Sequence, residues 1–335
     1  RGNMSGQVAK PRIFIDYIAY ARAIGKRVKY KRGDGVEIKN YPYLFTLNPH
    51  RINEIETTNE PSHVHCLINH EEQAEPDDEA LRKLLSTANY WGLLGHNLAD
   101  LNATAKLSYY NNDGASDYTL SQSDIYTNID DNYLLKSISG TISEENASGV
   151  SLQISGHTIG DELKLGCVTY GRTYTFPHRA NLSMNISYSQ SGIKRSRTAG
   201  GKDIVDIQYY KAPDWGTRRA WDFSPRDNRS IGYNGRRSWD LTFSYLTADD
   251  TLPSDTDNDF MFDTDVATGS WNIHSTENIT SHFMTLTLNG QIPFIFQPDD
   301  TKRTFALCRL KSNGFSVQQS APNLYTCKMS FEETW

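Results

Sequence analysis

The last hundred residues alternate polar and apolar side chains with a period of two. Between Trp239 and Tyr245 every second residue is apolar or aromatic, and the residues in between are polar. Such alternation is typical of a β-strand that buries one face. The same pattern returns in segments 284–288, 292–296 and 325–331. The sequence therefore predicts an antiparallel sheet with one solvated face in this part of the chain.

The rest of the chain predicts further short strands and one short helix. Apolar runs with strand character occupy residues 90–95, 105–109, 150–154, 163–167 and 182–188. Leucines at helical spacing predict a helix over 79–86, residues 11–25 fit a strand or a short helix, and the basic segment 26–40 fits an exposed loop or arm. Many short strands separated by turns indicate a sandwich or barrel.

The chain length of 335 residues allows two domains. Because a basic, glycine-rich stretch follows residue 190, we place the boundary there. The predicted fold class is all-β, with two antiparallel β-sandwich (jelly-roll-like) domains and at most short helices. An N-terminal tail covers 1–11, a jelly roll 12–190, and a second antiparallel domain 191–335 with a long loop at 247–281.

Charge and cysteine content exclude several classes of protein. The net charge of -6, from 34 basic and 40 acidic residues, provides no basic field that would attract nucleic acid. No apolar run reaches the ~20 residues that cross a bilayer, so we expect a soluble protein without a membrane partner. Four cysteines are too few for a disulfide framework, and Cys308 and Cys327 are either small apolar core residues or a bridged pair.

Three histidines and a cysteine are the weak metal candidates of this chain. His63 and His65 would share one face of a strand, and Cys66 or His70 could complete a metal site. The alternative is a strand whose histidines only make hydrogen bonds, and we favour it.

An acidic segment resembles the start of a calcium-binding loop. Asp255, Asp257 and Asp259 stand at alternate positions, but Phe260 and Val266 occupy the places that need glycine and glutamate. A solvated acidic loop is therefore the favoured interpretation, with a non-standard calcium site as the alternative. We predict no metal and no cofactor.

The sequence lacks the patterns that mark common catalytic sites. It has no Gly-x-Ser-x-Gly turn, no recognisable cysteine nucleophile and no phosphate-binding glycine loop. Glu332 and Glu333, or the carboxylates of 249–265, could form a glycosidase pair, but a chain with this many acidic residues offers such pairs by chance. We therefore predict that the protein is not an enzyme.

A group of aromatic residues follows the glycine-rich stretch. Such side chains anchor subunit interfaces, stack on sugars or fill a core. We favour subunit contact or core over sugar binding for these residues, which are Tyr209, Tyr210, Trp215, Trp221 and Tyr233.

Several short motifs resemble tail proteins of tailed bacteriophages. Residues 91–98 (WGLLGHNL) resemble a turn in discoidin-like jelly-roll domains of phage structural proteins. The resemblance continues in residues 171–178 and 181–183, which lead into the region of 200–201 and 210–215. Residues 236–243, 290–296 and 331–333 are similar to the end of distal-tail and minor-tail proteins.

The resemblance implies a structural virion component near the tail tip. Such a subunit would form a ring of six copies and link the tail tube to the host-recognition apparatus. Its partners would be copies of itself, the tube, the tail-tip hub and the fibres, with a host surface glycan as a further ligand. It would be assembled in the host cytoplasm and reside in the virion tail. A carbohydrate-binding, lectin-like receptor-recognition protein is the competing hypothesis, and a hydrolase that acts on cell-wall sugar is a third.

Charged segments suggest how copies would meet in a ring. Basic residues cluster at 26–31, 194–197, 218–219 and 236–237, and acidic residues cluster at 71–79 and 249–265. We expect a basic strip of one copy to face an acidic loop of its neighbour, although unrelated solvated surfaces would give the same pattern.

Overall fold

Antiparallel strands make up most of the described chain. The structure is a computed structural model that describes residues 10–26, 28–32, 44, 47, 52–58, 60–68, 79–109, 118–122, 133–138, 149–181, 185–189, 193–207, 236–251, 278–301 and 305–334. The helices are short, so the predicted all-β class is confirmed. Within these ranges no helix is long and apolar enough to cross a membrane.

The strands are numbered in chain order and form two large sheets. The larger sheet has nine strands, in the spatial order β12 (Asn185–Ser189), β15 (Arg236–Leu246), β18 (Leu324–Glu333), β17 (Ala306–Ala321), β16 (Phe294–Gln297), β1 (Arg12–Asp16), β11 (Cys167–Thr175), β5 (Tyr90–Leu94) and β8 (Tyr133–Ser137). The second sheet has five strands, in the order β2 (Val28–Arg32), β4 (Ser62–Ile68), β9 (Gly149–Ser155), β6 (Thr104–Tyr109) and β7 (Tyr118–Gln122).

Two strand pairs and four helical segments complete the described elements. The pairs are β3 (Asn53–Glu56) with β10 (Glu162–Leu165), and β13 (Ile193–Arg197) with β14 (Asp203–Ile207). The helical segments are α1 (Tyr17–Ala23), α2 (Glu79–Ser86), α3 (Ala248–Thr251) and a π-helix (Ile279–Met284). The predicted helix over 79–86 is therefore confirmed.

Buried side chains of both large sheets belong to one contiguous hydrophobic core. Cys66 and Leu152 enter it from the five-stranded sheet, and Leu93 and Phe296 from the nine-stranded sheet. Each fully buried apolar side chain of this size stabilises the fold by about 1.5–3 kcal/mol. The two sheets therefore pack as the layers of a sandwich.

Aromatic rings hold the π-helix against the C-terminal strands. The ring centroids of Phe283 and Phe294 lie 5.1 Å apart, and those of Phe294 and Phe331 lie 5.2 Å apart, both edge to face. Edge-to-face pairs contribute about 0.5–1.5 kcal/mol beyond the burial of their area. The π-helix is therefore anchored to the middle of the larger sheet.

The larger sheet crosses the domain boundary that we predicted near residue 190. Strand β1 pairs on one side with β11 and on the other with β16, so that Ile13 lies opposite both Tyr174 and Phe296. Residues 12–190 and 191–335 thus share one sheet, which corrects the prediction of two separate sandwiches. The basic, glycine-rich stretch forms the β13–β14 hairpin, inserted between two strands of the same sheet, β12 and β15. A change in composition can mark an inserted hairpin as well as a domain boundary.

Three other local predictions need correction. Segment 11–25 is not one element, because it contains both β1 and α1. Segment 26–40 is not only a loop, since β2 pairs with β4. The predicted loop 247–281 contains α3 and the start of the π-helix, and its residues 252–277 lie outside the described ranges.

The alternation of polar and apolar residues gave two wrong predictions. Segment 284–288 is not a strand, because residues 284–286 end a helical segment and residues 287–288 form a turn. Ile279, Phe283 and Leu286 follow helical spacing and are fully buried there. Tyr245 does not face inward, because β15 has a bulge between Phe243 and Leu246. Its side chain is 77% exposed and its φ of 64° lies in the left-handed region.

Gly171 lies in β11 between two neighbouring strands, with no room for a larger side chain. It pairs with Asp16 on one side and with Tyr90 on the other, and a Cβ atom at this position would collide with the backbone carbonyl oxygen of Ile15. We expect Gly171→Ala to lower the free energy of unfolding by about 3 kcal/mol, measured by urea denaturation. Gly200→Ala is the control, because a Cβ atom there meets nothing within 4 Å. Equal stability of the two variants would contradict the strand packing described here.

Candidate functional site

Buried polar side chains gather where β1 ends and α1 begins. The Asp16 carboxyl is 1% exposed, and its Oδ1 accepts hydrogen bonds from the backbone N–H groups of Ile18 (2.9 Å) and Ala19 (3.3 Å). This arrangement caps the N-terminus of α1. In the strands beside it, the Tyr90 hydroxyl and the Thr169 hydroxyl are hydrogen-bonded at 2.9 Å. The end of β1 therefore places one carboxyl inside the core.

Two further tyrosines connect α2 to this region. The hydroxyls of Tyr17 and Thr87 are hydrogen-bonded at 3.0 Å, and the Tyr170 hydroxyl donates to the backbone oxygen of Leu85 at 2.7 Å. Burial raises the pKa of Tyr17 to about 12 and holds the pKa of Tyr170 well above its usual range. Both phenols therefore stay neutral and act as fixed hydrogen-bonding groups.

The electrostatics of this region are dominated by burial. Burial raises the pKa of Asp16 from 3.8 to about 7, although the backbone hydrogen bonds and the charge of Arg22 act in the opposite direction. Burial, and then the nearby Asp16 charge, raise the pKa values of Cys66 and Tyr90. The carboxyl can take up and release a proton near neutral pH, and it lies inside the core rather than on an exposed surface.

The motif at 91–98 consists of most of β5 and the turn that follows it. Gly95 has a φ of 71°, and the His96 Nδ1 atom accepts a hydrogen bond from the backbone N–H of Leu98 at 3.4 Å. The Asn97 side chain bridges to β10, since it donates to the Glu162 carbonyl and accepts from the Lys164 N–H. Burial lowers the pKa of His96 to about 3, so its ring stays neutral. This motif therefore positions strands and presents no reacting group.

The predicted histidine pair lies on one face of β4. The His63 and His65 rings stack with centroids 5.6 Å apart, which confirms that they share a face. His70 lies outside the described residues. Among the residues that the structure describes, no group of three or more His, Cys, Asp or Glu could hold a metal ion. Metal binding at these histidines therefore stays the less favoured alternative, without a third ligand among the described residues.

The other candidates from the sequence fall outside the described ranges. They are the acidic residues Asp255, Asp257 and Asp259, and the aromatic residues Tyr209, Tyr210, Trp215, Trp221 and Tyr233. For the acidic residues, a solvated loop stays the prediction and calcium binding the alternative. For the aromatic residues, subunit contact or core stays the prediction and sugar stacking the alternative.

One of the two adjacent glutamates at the end of β18 is held in a buried ion pair. Glu333 is buried and receives hydrogen bonds from Arg237, whose Nη2 lies 2.8 Å from Oε1 and whose Nε lies 3.0 Å from Oε2. The guanidinium also lies 5.1 Å from the centroid of the Trp239 ring. Arg237 therefore belongs to the interior, which corrects its assignment to a basic surface strip with Arg236.

The cysteines are all unbridged. Cys308 pairs in register with Glu333, whereas Cys327 pairs with Val317, so the two residues lie apart along the same hairpin. Both are buried and free, which excludes the bridge that the sequence left open. Burial raises the pKa of the Cys327 thiol to about 12, and the pKa of Cys308 also lies well above its usual range.

The β13–β14 hairpin has an exposed end. Residues 196–204 are all exposed, and no other described strand pairs with either strand. The Arg197 Nε atom and the Asp203 Oδ1 atom lie 3.6 Å apart across the hairpin, and the two side chains are 75% and 74% exposed. The turn is closed by a bond from the Thr198 N–H to the Lys202 carbonyl at 2.9 Å. An exposed basic hairpin of this kind is a candidate contact surface.

Sequence reasoning missed two of these features. Asp16 is the only charged residue in the apolar run 13–20 and directly precedes a helix, so an N-cap signal was present. The Arg237–Glu333 pair had no comparable signal, because the two residues are separated by 96 positions.

Comparisons with known proteins add no family. No family model matches the chain, and no curated protein matches it. A similar solved structure is a GH29 fucosidase of Ruminococcus gnavus, a mutant in complex with fucose, at 11% identity and a TM-score of 0.30. The match covers 46% of this chain and 26% of the fucosidase chain. At this TM-score the likeness carries no argument about function.

Proposed function

We propose that this chain is a structural subunit of a bacteriophage tail, near the tail tip, that forms a ring with copies of itself. The motif resemblance suggests the tail. The observation that supports self-assembly most strongly is the exposed β13–β14 hairpin. A two-stranded hairpin alone is marginally stable in water, and contact with a neighbouring subunit would stabilise this exposed one.

The charge of the hairpin fits a neighbour of the same kind. Residues 193–207 contain four basic and two acidic residues, while the whole chain carries a net charge of -6. The remainder of each copy is therefore acidic and would attract the hairpin of the next copy. A closed ring requires each subunit to present two different complementary patches, and a basic hairpin with an acidic receiving surface meets this requirement.

The test is the mass of the assembled particle at micromolar concentration, by analytical ultracentrifugation. We expect a defined oligomer, and we expect the double variant Arg197→Glu/Lys202→Glu to raise its dissociation constant about tenfold or more. Because the attraction is between exposed charges, added salt should weaken the wild-type oligomer as well.

Arg179→Glu/Lys10→Glu is the matched control, since both residues are exposed and lie outside the hairpin. It makes the same change in net charge and should leave the mass unchanged. A wild-type chain that stays monomeric would contradict the proposal. Binding of glycans by that monomer would instead favour the carbohydrate-binding alternative.

A further inference from the structure

We infer that the outer edge of β17, from Phe315 to Ala321, pairs with the same edge of a second copy of this chain about a twofold axis. This inference rests on the proposed function, because it names a second surface through which copies associate.

The first observation is that β17 extends beyond its neighbour on one side. Its partner β18 pairs with it as far as Ala321, but its other partner, β16, pairs only with Ala306 to Cys308. A bond from the Leu310 N–H to the Gly290 carbonyl, at 3.3 Å, extends the contact slightly. Beyond Leu310 no described strand pairs with this edge. Backbone N–H and C=O groups of an edge strand are a template for another strand.

The second observation is the absence of charge along this segment. Residues 312–327 contain no Lys, Arg, Asp or Glu, although at the 22% charged fraction of the chain about three or four would be expected. Exposed residues of the segment include Ser316, Gln318, Gln319 and Ser320. Edge strands of proteins that stay monomeric commonly carry charged side chains that prevent pairing. Residues 312–327 lack this protection by charged side chains.

These two observations favour a second copy as the partner. Copies with a net charge of -6 repel each other, and a contact segment without charges brings no like charges together. Two identical edges that run antiparallel can exchange N–H···O=C bonds symmetrically about a twofold axis. A self-pairing edge therefore needs no other protein to supply a complementary sequence.

A cysteine scan tests the twofold geometry directly. In an antiparallel pair, the residue on the axis lies opposite itself, with Cα atoms about 4.5–5.5 Å apart, within disulfide reach. A residue two positions away lies about 13 Å from its own copy, which is out of reach. The scan uses single substitutions at exposed positions of the edge: Ser316→Cys, Gln318→Cys, Gln319→Cys and Ser320→Cys.

Glutathione disulfide is the oxidant in this experiment. Two thiols form one S–S bond, release two protons and transfer two electrons to the oxidant. The native cysteines of the chain are buried, which protects them from this reaction. Gln291→Cys is the control, because Gln291 is exposed and lies off the β17 edge. We expect one position, or two neighbours, to yield covalent dimer about tenfold above the control.

Charge substitutions provide an independent test. Gln318→Lys and Gln318→Glu should each weaken association about tenfold, because either sign places a charge in a contact that excludes water. The matched controls Gln291→Lys and Gln291→Glu should leave association unchanged. Circular dichroism and thermal unfolding verify that each variant is folded.

The outcomes separate this inference from the proposed function. An oligomer that shows no position-specific cross-link and no effect of Gln318 substitutions overturns the inference alone. A twofold dimer that cross-links in the scan but assembles no further overturns the proposed ring alone. A monomer at every concentration overturns both.

Discussion

Glu333→Ala is expected to lower the free energy of unfolding by about 3–5 kcal/mol, because it leaves the buried Arg237 guanidinium without its carboxylate. The two side chains are 7% and 5% exposed, and two bonds of 3.0 and 2.8 Å join the guanidinium to the carboxylate. The Glu333 carboxylate also accepts from the backbone N–H of Arg237 at 3.0 Å. Urea denaturation with circular dichroism measures the change.

The exposed pair Arg197–Asp203 is the matched control. Its side chains are mostly in water, so Asp203→Ala should change stability by less than about 1 kcal/mol. The double variant Arg237→Met/Glu333→Leu should recover much of the loss, since it removes both charges from the interior. A Glu333→Ala variant that is as stable as Asp203→Ala would contradict the buried pair.

Asp16 is expected to make the fold less stable as the pH rises. Its pKa in the folded protein is about 7, against 3.8 for the free side chain, so the folded state binds this proton more tightly. The stability due to the protonated carboxyl is fully present below about pH 4 and is lost as the pH rises through about 7. Three pKa units at about 1.4 kcal/mol each give a loss of up to about 4 kcal/mol.

Asp16→Asn isolates this effect. The asparagine keeps an oxygen that accepts from the N–H groups of Ile18 and Ala19, but it cannot ionise. We expect the variant to be more stable than the wild type by about 2–4 kcal/mol at pH 8 and to differ by less than about 1 kcal/mol at pH 4.

Other titrating groups near Asp16 are common to both proteins and largely cancel in this difference. They are Cys66, Tyr90 and Tyr17, and the charge of Arg22 is likewise present in both proteins. Urea denaturation at pH 4, 6 and 8 measures the two curves. Parallel curves would show that Asp16 does not titrate in the folded protein within this range.

Individual helices and strands could be predicted where the spacing of apolar residues fitted only one of the two. The leucines of α2, the apolar run of β5 and the alternation of β18 each predict the element that forms there. Segment 284–288 misled because Leu286 belongs both to the strand-like alternation and to a helical series with Ile279 and Phe283. The bulge at Tyr245 could not be predicted from the sequence, because it occurs where the pairing register between β15 and β18 shifts.

Long-range order could not be predicted from the sequence. The pairing of Ile13 with Phe296 joins strands near opposite ends of the chain, and nothing in either segment specifies that partner. In the sequence, the two arginines at 236–237 indicate a charged surface. The structure instead places Arg237 beside Glu333 in the interior. Local patterns predict which residues form strands, whereas packing determines which strands meet.

We propose that this protein works through the surfaces and edges of its β-sheets, as a subunit that assembles with copies of itself. The decisive measurement is the mass of the particle in solution at micromolar concentration. We expect a discrete oligomer whose mass is a whole multiple of the 37.9 kDa chain and falls in the hairpin variant Arg197→Glu/Lys202→Glu. A single species at 37.9 kDa at every concentration would contradict it.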